Sequence, residues 1–354
     1  MDRFRIDSHK LIYHVSRVND WLKGVDIYPI YIEVGLFGGC NHRCIFCAFD
    51  YLGYSQSSLS TDAIYSFIAS AAEKGVKAIL YSGEGEPLLH ENIVDVVVFT
   101  KKSGLDVALS TNGVLFDKDK ANVMLQYLSW IRFSIDAGTA NNYSFIHGAD
   151  KDDFKVVINN ITEAVKIRNK NNFTSTIGVQ FLLLPHNYNE ILLLVKILKN
   201  IGVDYLTVKP YSSHYLSSNF KNSFFDYNKF LYLKDELSKY SDDNFKIIFR
   251  NRAMLKTNEK KPYKDCLGLP FIAHISADGN VYPCNVFVGK EDFVFGNICC
   301  ANFEDIWTGK KRKKIMNYIF SDWDLKNCRK SCRIDDINRY LWELKYPNNH
   351  VNFI

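Results

Sequence analysis

The stretch Cys40-Asn41-His42-Arg43-Cys44-Ile45-Phe46-Cys47 follows the apolar run Tyr28 to Phe37 and the pair Gly38-Gly39. Three cysteines at a C-x3-C-x2-C spacing, in the loop that ends a strand, read as a three-thiolate metal site. Fe–S clusters are normally held by four thiolates. No fourth cysteine follows until Cys266, so the spacing suggests a cubane with one iron left open. The bland alternative is three buried cysteines acting as small hydrophobes. A lone C-x2-C would leave that alternative alive; this spacing on a Gly-Gly turn disfavours it.

Outward from this stretch the pattern alternates. Strand-like runs cover Tyr31 to Gly35, Ala78 to Ser82, Asp106 to Ser110, Ile131 to Ile135, Thr176 to Leu184 and Tyr205 to Lys209. Helical periodicity separates them near 61–74, 91–103, 118–128, 152–170, 187–200 and 226–239. Six strand–helix units in sequence predict a parallel sheet with helices outside. Six rather than eight predicts an open, partial barrel, with its site at the C-terminal strand ends. Residues 8–23 read as a helix capped by Ser8, with Leu11, Ile12, Val15, Val18 and Leu22 as its apolar stripe. About thirty residues precede the first strand, too few for a separate peptide-binding domain.

Composition sets the compartment and the partners. Of 354 residues 47% are hydrophobic and 14% aromatic, enough for a sizeable core, and the length exceeds one usual domain core. Forty-four basic residues against 39 acidic give a net charge of +5, close to balance. The lysine run Lys310 to Lys314 reads as a solvated face rather than a nucleic-acid groove. Residues 1–7 carry no apolar signal region, and Ile191 to Leu198, the most apolar stretch, is too short to span a bilayer. Nine cysteines without a secretion signal favour metal ligation over disulfides. The expectation is a cytoplasmic protein without nucleic-acid or membrane partners.

Cys40, Cys44 and Cys47, with Phe46 just before the third, resemble the signature of the radical S-adenosylmethionine (radical SAM) superfamily. The resemblance implies a [4Fe–4S] cluster whose open iron chelates SAM. It implies reductive cleavage to a 5′-deoxyadenosyl radical that takes a hydrogen atom from substrate. It also implies an electron donor such as flavodoxin or ferredoxin. Ser82-Gly83-Glu84-Gly85-Glu86-Pro87 reads alone as a turn with two solvated carboxylates. In context Gly85 and Glu86 resemble the family motif that binds the SAM amino group, with Glu84 where the family often has glycine. Ser110-Thr111-Asn112-Gly113 is a turn signal that resembles the loop beside the adenosyl group. Ser134 and Asp136 are the candidates for the ribose diol, and Leu184 for an apolar adenine contact, against a plain core role. Lys209, an amine at a barrel mouth, is a candidate base or substrate anchor, since lysine pKa falls on burial. A salt bridge is the alternative. Residues 212–225 read as a linker or a loop over the mouth.

A second cysteine set begins at Cys266. Asp278-Gly279 is a hairpin signal leading to Cys284, and Cys328 and Cys332 follow at the entrance to a helix. Four cysteines fit one complete cluster or a zinc site. The runs Ile275 to Cys284, Phe295-Gly296-Asn297-Ile298 and Asp305-Ile306-Trp307 resemble the SPASM/twitch extension of radical SAM enzymes. That implies a second [4Fe–4S] cluster on Cys266, Cys284, Cys328 and Cys332, although the final C-x3-C departs from the C-x2-C expected there. Cys299 and Cys300 remain. They read as packed small residues, or as hydrogen-atom donors of an epimerase.

The expected architecture is α/β, a partial (β/α)6 TIM-like barrel with a small C-terminal twitch (SPASM-like) Fe–S domain. Its segments are an N-terminal helical extension (1–27), the barrel (28–240), the auxiliary-cluster domain (241–340) and a tail (341–354). The expected function is hydrogen abstraction from a carbon of a small polar substrate, a sugar, aminocyclitol or nucleoside, ending in alcohol oxidation. The alternatives are epimerisation through Cys299 or Cys300, peptide modification, and a non-catalytic Fe–S or SAM-binding scaffold.

Overall fold

Strands β1 (Tyr31–Val34), β2 (Ala78–Tyr81), β3 (Asp106–Thr111), β4 (Trp130–Ser134), β5 (Thr176–Leu183) and β6 (Tyr205–Pro210) pair in parallel in chain order. They form the six-strand core the sequence predicts. The computed structural model describes residues 4–219 and 225–353. The expected segment 212–225 therefore lies partly outside the described residues. Helix α1 (Val15–Leu22) precedes the sheet. Helices α2 (Thr61–Glu73), α3 (Ile93–Lys102), α4 (Lys118–Met124), α5 (Ala140–His147), α6 (Lys151–Asn171) and α7 (Ile191–Ile201) connect its strands.

Side chains alternate across each strand. Ile32, Val34, Ile79, Tyr81, Val107, Leu109, Ile131, Phe133, Val179 and Val208 are fully buried, in one core with helix residues such as Phe67, Val97 and Leu194. Each such burial stabilises the fold by about 1.5–3 kcal/mol. Their alternates, among them Glu33, Arg132, Ser134, Gln180 and Lys209, face the opposite side and line a lumen.

The sheet is larger than expected. After the short helix α8 (Leu233–Ser238), β7 (Lys246–Phe249) adds to β6 in parallel. This strand lies beyond residue 240, where the sequence puts the end of the barrel. Set between a polar turn and the short helix α9 (Asn251–Leu255), it lacks the long stretch of helical periodicity that follows the six earlier strands in the sequence. β8 (Ile272–Ile275) pairs in parallel with β1, and β9 (Asn280–Tyr282) and β10 (Gly296–Asn297) follow antiparallel. The cysteine-bearing hairpin therefore continues the barrel sheet, in the order β10-β9-β8-β1-β2-β3-β4-β5-β6-β7. β7 and β8 are not neighbours in it, so the barrel is open.

The chain ends also differ from expectation. Ser8 caps no helix: α1 starts at Val15, after a 3-10 turn over Leu11–Tyr13 and a non-helical His14. Helices α10 (Phe303–Thr308), α11 (Lys310–Ser321) and α12 (Asp335–Lys345) close the chain. α12 runs past residue 340 into the expected tail, and its Leu341 is fully buried with Leu11, Val18, Ile27, Ile30, Leu267 and Phe271. No helix among the described residues is long and apolar enough to cross a membrane.

Candidate active site and metal centres

The cysteine loop leaves β1 at Gly35 and is held by backbone rather than by regular structure. Gly38 N donates to Ser57 O at 2.9 Å and Glu86 N to Gly39 O at 2.9 Å. Gly85 is required here: a Cβ would lie 2.1 Å from Phe37 O and 2.3 Å from Gly39 O. Further on, Arg43 N donates to His147 O and Ile45 N to Ile146 O, both at 2.9 Å, which docks the loop on the end of α5. The thiols of Cys40, Cys44 and Cys47 are free. Burial pushes all three up, Cys40 to about 11, and the neighbouring sulfurs push Cys40 and Cys44 further. Enclosed thiols that resist ionisation beside one another are a poor packing choice and a good donor set, because a bound cation reverses that cost. The residues fit a three-thiolate cluster.

His147 adds a partner that the sequence does not reveal. Asp136 N donates to His147 Nε2 at 3.2 Å, which leaves the proton on Nδ1. Nδ1 lies 3.4 Å from Cys44 Sγ. Burial, and then the His42 charge, lower the His147 pKa, so the ring is neutral. This tautomer donates to the Cys44 sulfur. His42, Cys44 and His147 also cluster closely enough to hold an ion, but His42 Nε2 is engaged at 3.1 Å by Asp153.

The strand-end residues behave differently from one another. The Glu86 carboxyl is buried and accepts from Thr111 Oγ1 at 2.5 Å, Asn112 N at 2.8 Å and Leu88 N at 3.2 Å. These donors lie inside the fold, so the side chain ties the β2 loop to the end of β3. Glu84 turns the other way: it accepts from Ala277 N at 2.6 Å, linking the β2 loop to the β8–β9 hairpin. Asn112 Nδ2 donates to Asn41 Oδ1 at 2.7 Å, bracing the cysteine loop. Asp136 accepts from Leu182 N and flanks His147 at 3.4 Å, while its Oδ2 has no hydrogen-bond partner. Leu184 packs with Ile146, Leu182 and Tyr211 against Ile45 and Phe46, an apolar wall beside the thiols.

Burial raises the Glu86 pKa to about 7 against the pull of its three donors. Its folded pKa thus exceeds the unfolded value, and its contribution to stability declines as pH rises from 4.5 towards 7. Glu86→Ala orphans three buried donors. It should lower stability by about 1–3 kcal/mol, read as a lower thermal midpoint, with Glu86→Gln losing less because the amide oxygen still accepts.

Cys266, Cys284, Cys328 and Cys332 are also free and come together. Burial raises the pKa of Cys266, Cys284 and Cys332, and the charge of the neighbouring thiols, Cys328 included, raises each further. Asn338 Nδ2 lies 3.4 Å from Cys266 Sγ. Four thiols from the segment before β8, the end of β9 and the approach to α12 fit a complete ligand set. Cys299 and Cys300 do not join them. Both are exposed after β10, and Cys299 packs against the hairpin turn at Gly279.

Between the two thiol sets the lumen carries charge. Glu33 binds Arg333 and accepts from Ser82 Oγ. A cavity beside it is lined by Tyr31, Glu33, His274, Cys284, Cys332 and Arg333. Residues 212–219 cross this region: Asn219 Nδ2 and Ser217 Oγ donate to Cys47 O at 3.0 and 3.2 Å, and His214 Nε2 lies 3.1 Å from Val286 O.

His274 lies 3.7 Å from Glu33 and 3.6 Å from Glu84. Burial alone would lower its pKa, but the two carboxylates raise it to about 9. A raised histidine pKa gives stability that is complete below 6.5 and is lost as pH passes through about 9. The thermal midpoint should therefore fall over that window, and His274→Gln should flatten the fall.

Comparisons with known proteins agree with this geometry. A family model described as the radical SAM superfamily matches residues 34–198, and one described as an iron–sulfur cluster-binding domain, SPASM, matches 266–333. The tungsten-containing aldehyde ferredoxin oxidoreductase cofactor-modifying protein of Pyrococcus furiosus is 26% identical over 85% of this chain and 88% of its own. The GTP 3′,8-cyclase of Campylobacter fetus is 27% identical over 84% of this chain and 90% of its own. In fold, Streptococcus suis SuiB bound to its precursor peptide SuiA superposes with a TM-score of 0.68 at 14% identity, covering 95% of this chain and 78% of SuiB. AdoMet-bound anSMEcpe superposes with a TM-score of 0.60 at 16% identity, covering 88% of both chains. A [4Fe–4S] cluster, SAM and auxiliary Fe–S ligation follow from the two matched domains. The chain belongs to the radical SAM superfamily, in the branch that carries a SPASM/twitch iron–sulfur domain.

Proposed function

We propose that the chain oxidises an alcohol carbon of a small polar molecule, a sugar, aminocyclitol or nucleoside. The observation that carries this reading is a polar lumen that opens between a three-thiol set and a four-thiol set. Cys40, Cys44 and Cys47 hold the first cluster, and Cys266, Cys284, Cys328 and Cys332 hold the second. Bound there, the first cluster and SAM would supply the radical chemistry of hydrogen-atom abstraction, with the reducing electron delivered by a carrier such as flavodoxin or ferredoxin.

The protein positions and excludes. Phe46 and Leu184 form the apolar wall for adenine, Gly85 lets the backbone come close, and Glu86 and Asn112 fix the loops around SAM. Ser134, on the lumen face of β4, contacts the ribose. Asp136 acts through His147 and Leu182. Lys209 is a substrate anchor: burial, and then the guanidinium groups around it, weaken its hold on a proton until an anion joins it. Oxidation requires the substrate to lose an electron and a proton after the hydrogen atom, the electron to the second thiol set's cluster and the hydroxyl proton to solvent through the open lumen. A complete second thiol set suits electron acceptance. Epimerisation instead needs a hydrogen donor facing the lumen, and the exposure of Cys299 and Cys300 disfavours them in that role. Full-length similarity to proteins named for a cofactor and for GTP supports a small molecule over a peptide.

Turnover with SAM and reductant on extracts from deuterium-grown cells tests the reading. Deuterium should enter 5′-deoxyadenosine from the small-molecule fraction. Deuterium drawn only from the peptide fraction would mean a peptide substrate.

A further inference from the structure

We propose that the lumen is an oxyanion site that holds a phosphoryl group of the substrate through Arg132, Lys209 and Arg329, with Arg333 beside them. This rests on the reading that the site takes a small molecule, and it names that molecule's class.

Five cations meet in the lumen. Arg333 is paired with Glu33, and Arg250 lies 3.4 Å from Asp7. The other three have no ion pair or hydrogen bond among the described residues. Arg132 has a buried Nε without a partner, and its guanidinium lies 5.1 Å from the Trp130 ring centroid. Arg329 has buried Nε and Nη2 without partners, 5.5 Å from the Phe49 ring centroid for its guanidinium carbon. Lys209 is half-buried, with Arg132, Arg250 and Arg333 acting on it and Asp136 as its acidic neighbour; burial and then those guanidiniums lower its pKa strongly.

Enclosing unpaired cations is costly, and a fold that keeps several side by side gains only when an anion joins them. The space for that anion is present. The Arg333 side chain is 44% exposed and lines the cavity it shares with Tyr31, Glu33, His274, Cys284 and Cys332.

The charge count selects the ligand. One carboxylate would compensate only one of the two unpaired guanidiniums, Arg132 and Arg329, whereas a phosphate dianion matches both, and a polyphosphate would also hold a proton on Lys209. Guanidinium forks suit phosphate oxygens in particular. The position is right for a substrate. Arg329 follows Cys328 of the second thiol set directly, and its guanidinium lies over the ring of Phe49, two residues beyond Cys47 of the first, so an anion held there would place the rest of its molecule between the two sets.

The test is calorimetric binding of inorganic triphosphate to the anaerobically reconstituted protein, with citrate as the non-phosphate polyanion. Triphosphate should bind more tightly than citrate, weaken as salt rises, and weaken about tenfold or more in Arg132→Gln and, separately, in Lys209→Gln. Arg132→Lys should recover part of the loss. Thermal midpoints identify a variant that fails to fold, and the other substitution then decides. No triphosphate binding, equal affinity in both variants, or preference for citrate would overturn the proposal. So would an equal loss of SAM affinity, since the cations would then serve the SAM carboxylate. Formation of 5′-deoxyadenosine is read separately: if it forms while triphosphate fails to bind, the oxyanion site is wrong and the enzyme reading stands.

Discussion

Replacing Cys40, Cys44 and Cys47 together by alanine is expected to abolish SAM cleavage and to halve the iron, from about eight to about four per chain. The loop itself should survive. It is pinned by Gly38 N to Ser57 O, Glu86 N to Gly39 O, Arg43 N to His147 O and Ile45 N to Ile146 O, none of which uses a sulfur. Iron analysis and 5′-deoxyadenosine formation check the two halves of the prediction independently. Full iron retention in the triple variant would move the first cluster elsewhere.

Substituting the second set has the opposite signature. Cys266→Ala with Cys284→Ala should remove the other half of the iron and eliminate product formation, while SAM cleavage in the absence of substrate persists. Stability should fall as well. The four sulfurs join the segment before β8, the end of β9 and the approach to α12, and Cys266 belongs to the main core. Loss of a structural metal removes its binding energy from the folded state alone. Zinc in place of iron at these four thiols, in protein purified without oxygen, would contradict the electron-accepting role.

How much of this is legible in the sequence follows from how local each signal is. The C-x3-C-x2-C spacing is contained in eight residues, and the strand–helix alternation repeats six times. β7 was not legible because its four residues stand between polar runs, Asp242-Asp243-Asn244 before and Arg250-Asn251-Arg252 after, with no long amphipathic helix following to complete a strand–helix unit. The pairing of β8 with β1 was not legible because a hairpin signal says nothing about a parallel neighbour as far back as Tyr31 opposite Ile272. Partners of the site residues were also hidden. His147 lies 103 residues from Cys44, and the Glu86 carboxyl is taken by the end of β3 rather than left pointing at a ligand. One signal was available and unused. Glu33 and Arg132 are charged residues at alternate positions of otherwise apolar strands. In a barrel that pattern marks the lumen, where Arg132 stands with Lys209 and Arg333.

The central claim is that this chain cleaves SAM reductively at a three-thiolate cluster. Anaerobically reconstituted protein, given SAM and dithionite, should form 5′-deoxyadenosine and methionine in equal amounts, and the Cys40, Cys44, Cys47 triple variant should form neither. Reconstituted protein that binds SAM and carries its iron, yet yields no 5′-deoxyadenosine under these conditions, would contradict the account.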